Sequence, residues 1–312
     1  MVSIMETGIL LESGTNELEI LEFQVGDNYY GINVAKIREI LPYQKPTPIP
    51  NADARIEGIF MPRDEIISIV DLSRVMNLPA AGSVAGDMYI VTNFNNLNTA
   101  FHVQGVEGIH RVSWGDIIEP DSTINASGMG MATGIVRIDD RLIIILDFEK
   151  IVAEINPETG LKISDVEHMT GRSRVDSPIL IAEDSPLLGK MLLDCLKRAG
   201  FVNIDLTNNG KECWDKLSAY QEQGILDQKV ACVITDIEMP QMDGHHLTKL
   251  IKSDEQMMHI PVIIFSSLIN DEMRKKGESL GADMQLSKPE IGQLVGAIDQ
   301  ILQIENADGT SV

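Results

Sequence analysis

Positive charge is scarce in this sequence, where 25 Lys and Arg stand against 47 Asp and Glu over 312 residues, a formal net charge of −22 and an isoelectric point near 4.5. A general nucleic-acid binder carries a basic footprint, and an anionic membrane surface repels such a chain, so both are excluded as direct partners. The deficit runs through the whole sequence: residues 1–170 hold 11 basic and 25 acidic residues, and residues 171–312 hold 14 and 22. Cysteine is also sparse. Cys195, Cys213 and Cys232 lack metal-ligand spacing and read as small apolar residues of a reducing compartment. Long apolar runs are missing, with no stretch near the roughly 18 residues of a membrane span. The segment Met1 to Leu11 carries Glu6 and no basic start, unlike a secretory signal. A cytoplasmic location is expected.

What is present describes a folded chain. Hydrophobic residues make up 44% and charged residues 23%, near the soluble globular average. At roughly 100–200 residues per domain, the length favours two domains. We expect boundaries at 1–160 and 177–306, joined by a linker over 161–176. The linker expectation rests on polar, turn-rich composition around Asn156-Pro157-Glu158-Thr159-Gly160 and Gly171-Arg172-Ser173-Arg174.

Before the linker, short apolar runs separated by turn chemistry predict small β-barrels. Leu18 to Val25 reads as a strand that turns at Gly26-Asp27-Asn28 into Tyr29 to Ile32. Val34, Ile37, Ile40 and Leu41 fit a short helix that stops at Pro42, and Pro46, Pro48 and Pro50 enforce an extended segment. Further strands fit 56–60, 66–70, 88–92, 99–103, 134–138 and 142–146. This half shows no catalytic constellation. His102 and His110 stand apart from any nucleophile and read as surface or core residues, and Trp114 reads as a packing residue at a turn. The segment Ile59-Phe60-Met61-Pro62-Arg63-Asp64 is the best local contact patch, although alone it reads more readily as an ordinary strand-to-strand turn.

After the linker, strand-like runs alternate with helical stretches and predict a flavodoxin-like fold with five strands in a parallel sheet and five helices. Strands are expected at 179–182, 203–206, 230–235, 262–265 and 284–286. Ligands of such sheets bind beyond the carboxyl ends of the strands. There the sequence places Glu183-Asp184, Asp236, Ser266 and Lys288. Three clustered carboxylates repel one another and call for a divalent cation, for which oxygen ligands suit Mg²⁺. Asp236 then fits a nucleophile that accepts a phosphoryl group, with Ser266 and Lys288 holding phosphoryl oxygens. Taken singly, Glu183-Asp184 reads as a solvated helix start capped by Asp184, Ser266 as a turn residue and Lys288 as a surface charge. Their convergence at one sheet edge favours the functional reading.

The motifs "ILIAEDSP", "VITDIEMPQMDG", "PVIIFSS" and "GADMQLSKP" resemble, in order, those of response-regulator receiver domains. The resemblance implies that Asp236 is the phosphoacceptor and that Glu183 and Asp184 form the acidic pair. It further implies Mg²⁺ on Asp184, Asp236 and the backbone carbonyl of Glu238, with Ser266 and Lys288 as switch residues. Gln285 and Glu290 stand where many receivers carry aromatic residues, so we expect signalling through a loop or interdomain contact instead.

In the first half, "LEFQVGDNYYGINVAKIREIL", "TPIPNADARIEGIFMPRDEIISIVDLSRVMNL" and "GIVRIDDRLIIILDFEKI" look like the bacterial chemotaxis coupling domain, CheW-like, a pair of small β-barrels. Arg63 falls where that family places an arginine in an Asn-Leu-Arg-Gly segment, which makes it the candidate receptor contact. The order of the two domains resembles the CheV family. The resemblance implies a non-enzymatic adaptor at receptor–kinase arrays, reaching the membrane only through receptors. It would couple chemoreceptors to the histidine kinase CheA and be adjusted by phosphorylation of Asp236. Two alternatives remain. One is a phosphate sink draining CheA. The other is a Mg²⁺-dependent phosphohydrolase, which would need a second Asp where Glu238 stands and a cap insertion that does not follow.

Overall fold

The computed structural model describes residues 16–79, 84–94, 97–118, 120, 130–156, 174–288 and 291–304. Most of the expected linker, and Glu290, lie outside these residues.

The first half builds two five-stranded sheets. One contains β1 (Glu17–Val25), β2 (Asn28–Asn33), β8 (Gly105–Ser113), β9 (Ala132–Ile138) and β10 (Arg141–Leu146) in the order β8-β1-β2-β10-β9. The other contains β3 (Ile37–Pro42), β4 (Ile56–Phe60), β5 (Ile67–Asp71), β6 (Met88–Phe94) and β7 (Leu97–Val103) in the order β3-β6-β7-β5-β4. Both follow one plan: three antiparallel strands, one parallel step and a closing hairpin. The parallel steps are β2 with β10 and β7 with β5.

Alternation along β1 and β2 sends Leu21, Phe23, Val25 and Ile32 into a core shared with Val70, Ile90, Phe101 and Val103 of the second sheet. The short helix α1 (Leu72–Val75) follows β5, and α2 (Phe148–Ile155) seals the shared core. Phe148 stands edge-on to Phe101 with ring centroids 4.3 Å apart. That anchor fixes the start of α2, and hence the position of the next residue, Glu149.

Two sequence expectations need correction here. Residues 34–41 are not one helix: a single 3-10 turn, Val34–Lys36, leads into β3. The apolar spacing fitted either state, and pairing of Ile37–Pro42 with β6 decided for strand. Strand β8 was not expected. Its half-exposed residues hide an apolar pattern, and pairing with β1 holds it.

In the second half, β11 (Ile179–Ala182), β12 (Ile204–Thr207), β13 (Cys232–Thr235), β14 (Val262–Ser266) and β15 (Met284–Ser287) form an all-parallel sheet in the order β12-β11-β13-β14-β15. Among the described residues six helices cover it: α3 (Pro186–Arg198), α4 (Gly210–Glu222), the short α5 (Leu226–Lys229), α6 (Gly244–Ser253), α7 (Asp271–Ser279) and α8 (Ile291–Leu302). Five match the expected helices, and α5 is additional. Every residue of β11, β13 and β14 is buried, because helices lie on both sheet faces. The three cysteines are free and buried, and burial pushes the Cys213 and Cys232 thiols up to about 12. No helix among the described residues is long and apolar enough to cross a membrane.

Candidate phosphorylation site

Parallel register brings the ends of β11, β13, β14 and β15 to one edge: Ala182 pairs with Thr235, and Ser266 with Ser287. The next residue on each of three strands is Glu183, Asp236 and Lys288. Lys288 Nζ lies 2.6 Å from Asp236 Oδ2 and 3.1 Å from Glu183 Oε2. The Ile237 amide donates to Asp236 Oδ1 at 2.6 Å, so both carboxylate oxygens are engaged and the side chain is held by its own loop. Carboxylate oxygens of Glu183, Asp184 and Asp236 lie within 4.8 Å of one another.

Burial and mutual repulsion set the electrostatics. Burial, reinforced by Asp236, pushes the Glu183 carboxyl up to about 7. Asp184 is raised well above the usual carboxylate range by burial and then by Glu183 and Asp236. Burial alone would lower the Lys288 ammonium, but Asp236, Glu183 and Glu149 outweigh it and keep it charged. One lysine thus faces three crowded carboxylates whose hold on protons is raised, and a hard divalent cation bound there would displace those protons and offset the repulsion.

Ser266 is fully buried at the end of β14, and its hydroxyl accepts from the Leu268 amide at 3.3 Å. The Lys288 amide donates to the Ser266 carbonyl at 3.2 Å, joining the serine and lysine loops. Gly244 opens α6 beneath the site, where an added Cβ would overlap the Asp236 carbonyl oxygen, so only glycine fits. Gln285 is buried, with its amide donating to the Arg274 carbonyl at 2.7 Å, and this ties β15 to α7.

The structure adds residues that the sequence reading missed, all at the junction with the first half. The Glu238 side chain turns away from Asp236: Asn33 Nδ2 donates to its Oε1 at 2.7 Å, and Lys36 Nζ lies 2.7 Å from its Oε2. Lys36 also meets Glu149 Oε1 at 2.8 Å, and Ser267 lies beside the same carboxylate and helps to lower it. Ala35 packs against Ile237, Ile264 and Leu268. Asn16 receives the Asp243 amide at 3.0 Å and donates to the Gln241 carbonyl at 2.9 Å, and the Gln241 amide donates to the Trp114 carbonyl at 3.2 Å. The one sequence signal was a lone lysine in the apolar run Val34-Ala35-Lys36-Ile37.

The remaining candidates lie elsewhere. Arg63 sits in the turn between β4 and β5 at φ 53°, 77% exposed and, among the described residues, paired with Glu39 at 2.9 Å. Met61 and Ile66 flank it, both exposed. His102 is buried between Glu57 and Asp87, 2.9 Å from each. His110 bonds the buried Glu22 at 2.8 Å, and Trp114 packs into the core of the first sheet.

Comparison with known proteins gives two family matches, a CheW-like domain over residues 19–156 and a response regulator receiver domain over residues 179–299. The chain is 30% identical to chemotaxis protein CheV3 of Helicobacter pylori over 301 residues, covering 92% of this chain and 95% of that protein. It is 32% identical to CheV2 of the same organism over 290 residues, covering 86% and 89%. Among solved structures, the scaffolding protein TtCheW from Thermoanaerobacter tengcongensis matches 42% of this chain and 84% of its own, at 24% identity and a TM-score of 0.39.

Proposed function

The chain belongs to the CheV family of chemotaxis proteins, a CheW-like domain followed by a receiver, and on that premise we propose an adaptor that couples chemoreceptors to the histidine kinase CheA under control of phosphorylation at Asp236. The observation that carries this reading is the cluster at the sheet edge, with Asp236 and Lys288 2.6 Å apart beside Glu183 and Asp184.

The three carboxylates fit Mg²⁺, since their repulsion is only partly offset by Lys288. Asp184, Asp236 and the Glu238 backbone carbonyl would hold the ion, with Glu183 completing the acidic set. When bound, it would neutralise negative charge between the carboxylates and an incoming phosphoryl group. In the transfer, an Asp236 carboxylate oxygen attacks the phosphorus of the donor's phosphohistidine. The O–P bond forms as the P–N bond breaks, and the imidazole leaves with the electron pair and takes a proton from solvent. Lys288 exchanges its bond to Asp236 for one to a phosphoryl oxygen, and the Ser266 hydroxyl donates to another.

Arg63 is the proposed receptor contact in the first half, because its guanidinium is accessible beside two exposed apolar side chains. The array location and reach to the membrane through receptors follow from the same reading.

Phosphotransfer from autophosphorylated CheA to the full chain and to Asp236→Asn tests the site. The wild type should acquire an acid-stable, base-labile acyl phosphate in Mg²⁺ and fail to acquire it in EDTA, and the variant should acquire none. Undiminished transfer to the variant would refute the assignment.

A further inference from the structure

Both lips of the phosphorylation site continue directly into the coupling domain. On one lip, Asp236 is followed by Ile237, which packs with Ala35, and by Glu238, whose two carboxylate oxygens are both taken by Asn33 and Lys36. On the other, Ser266 is followed by Ser267, beside the Glu149 carboxylate, and by Leu268, packed with Ala35. No more than two residues separate a group that must move toward a phosphoryl oxygen from a group held by the other domain.

Lys36 is the centre of this contact. It is 6% exposed, and its ammonium bridges one carboxylate from each domain. Asn33 serves both sides: its oxygen caps the 3-10 turn by accepting from the Ala35 amide at 2.9 Å, while its amide holds Glu238. Gln285 of β15 is tied instead to α7, through its bond to the Arg274 carbonyl.

We propose that the coupling domain is a lid on the phosphorylation site of its own receiver, locked by Lys36, and that the docked lid and the aspartyl phosphate exclude one another. This rests on Asp236 being the phosphoacceptor. A phosphoryl group converts one negative charge at Asp236 into about two, beside Glu149 and Glu238, which already share a single lysine. Drawing Ser266 toward that group pulls Ser267 and Leu268 off Glu149 and Ala35. Closed, the lid holds Glu238 away from Asp236 and covers the face a protein donor must approach. Open, it frees the turn 33–36 and the start of α2 for other contacts.

Hydrogen exchange on the full chain tests the lid through the Gln241 and Asp243 amides, which bond Trp114 and Asn16 across the junction. Beryllofluoride with Mg²⁺ serves as the phosphoryl mimic, with its binding followed by fluorine NMR. Bound mimic should speed exchange of both amides about tenfold or more while β13 amides stay protected. Lys36→Glu should produce the fast exchange without the mimic. Lys36→Glu with Glu238→Lys restores one lysine between two carboxylates and should return it to the slow rate, which separates unlocking from misfolding. Bound mimic with unchanged or slower exchange overturns the lid alone. Absence of bound fluoride overturns the site reading, and the lid with it.

Discussion

Lys288 Nζ lies 2.6 Å from Asp236 Oδ2, and this buried contact joins the end of β15 to the end of β13 across β14. Removing one partner of a buried pair leaves an uncompensated charge, which costs roughly 3–5 kcal/mol. Lys288→Met should therefore lower receiver stability in divalent-free buffer by about that much, read by urea unfolding followed at Trp214. Phosphotransfer should fall at the same time, because no other ammonium reaches Asp236 among the described contacts.

The same repulsion predicts a response to metal. Adding Mg²⁺ should raise the unfolding temperature of the wild type with a saturating dose dependence, as a ligand specific to the folded state does. Asp184→Asn removes one of three crowded carboxylates. It should be more stable than wild type without divalent ions, by about 1–2 kcal/mol, and should lose most of the Mg²⁺ response. Thermal melts across a Mg²⁺ series in both proteins check this.

Two buried histidines should contribute to pH dependence with opposite sign, one in each domain. Burial lowers His245 to about 3, so between its ordinary value of 6.5 and 3 the unfolded chain binds the extra proton. The His245 contribution to receiver stability should fall as pH drops through that window, opposed by the raised Glu183 and Asp184 carboxyls. It is read as the difference between the wild type and His245→Leu, a few kcal/mol at the acid end at about 1.4 kcal/mol per pH unit. Burial alone would lower His102, but its contacts with Glu57 and Asp87 outweigh it and raise the group. Its contribution is complete below about pH 6.5 and is lost as pH rises through the raised value, so His102→Gln should remove an alkaline destabilisation from the coupling domain. Exchange-detected stability of each domain from pH 4 to 9 reads both slopes.

Arg63 makes one exposed ion pair, with Glu39, worth under about 1 kcal/mol. Arg63→Ala should leave the unfolding midpoint almost unchanged and weaken co-sedimentation with receptor arrays at least about fivefold, a loss of roughly 1 kcal/mol. Equal binding of the variant would remove Arg63 from the contact.

The receiver was legible because its signals are local: continuous apolar strands, stop signals at Gly200 and Gly281, and polar residues just past each strand. β11 begins and ends where the sequence placed it, and register then brings Asp236 and Lys288 together. The coupling domain was less legible. Residues 34–42 carry spacing compatible with helix or strand, and a partner strand some fifty residues away decided between them. The junction was illegible for a related reason: Asn33, Lys36 and Glu149 gain their meaning from Glu238 and Ser267, far along the chain, and each alone reads as an ordinary polar residue. Gln285 stood out in the sequence only as a departure from the aromatic pattern, and its bond to the Arg274 carbonyl is visible in the fold alone.

Phosphorylation at Asp236 is the proposed control over how the coupling domain joins receptor to kinase. The direct measurement is ligand-controlled CheA activity in reconstituted receptor arrays with either the wild-type chain or Asp236→Asn, with and without a small-molecule phosphodonor that loads the receiver independently of CheA. We predict that the donor shifts ligand-controlled activity in arrays carrying the wild type and leaves those carrying the variant unchanged. Equal activity in all four conditions, with the wild type shown to be phosphorylated, would contradict the account and leave the receiver as a phosphate sink.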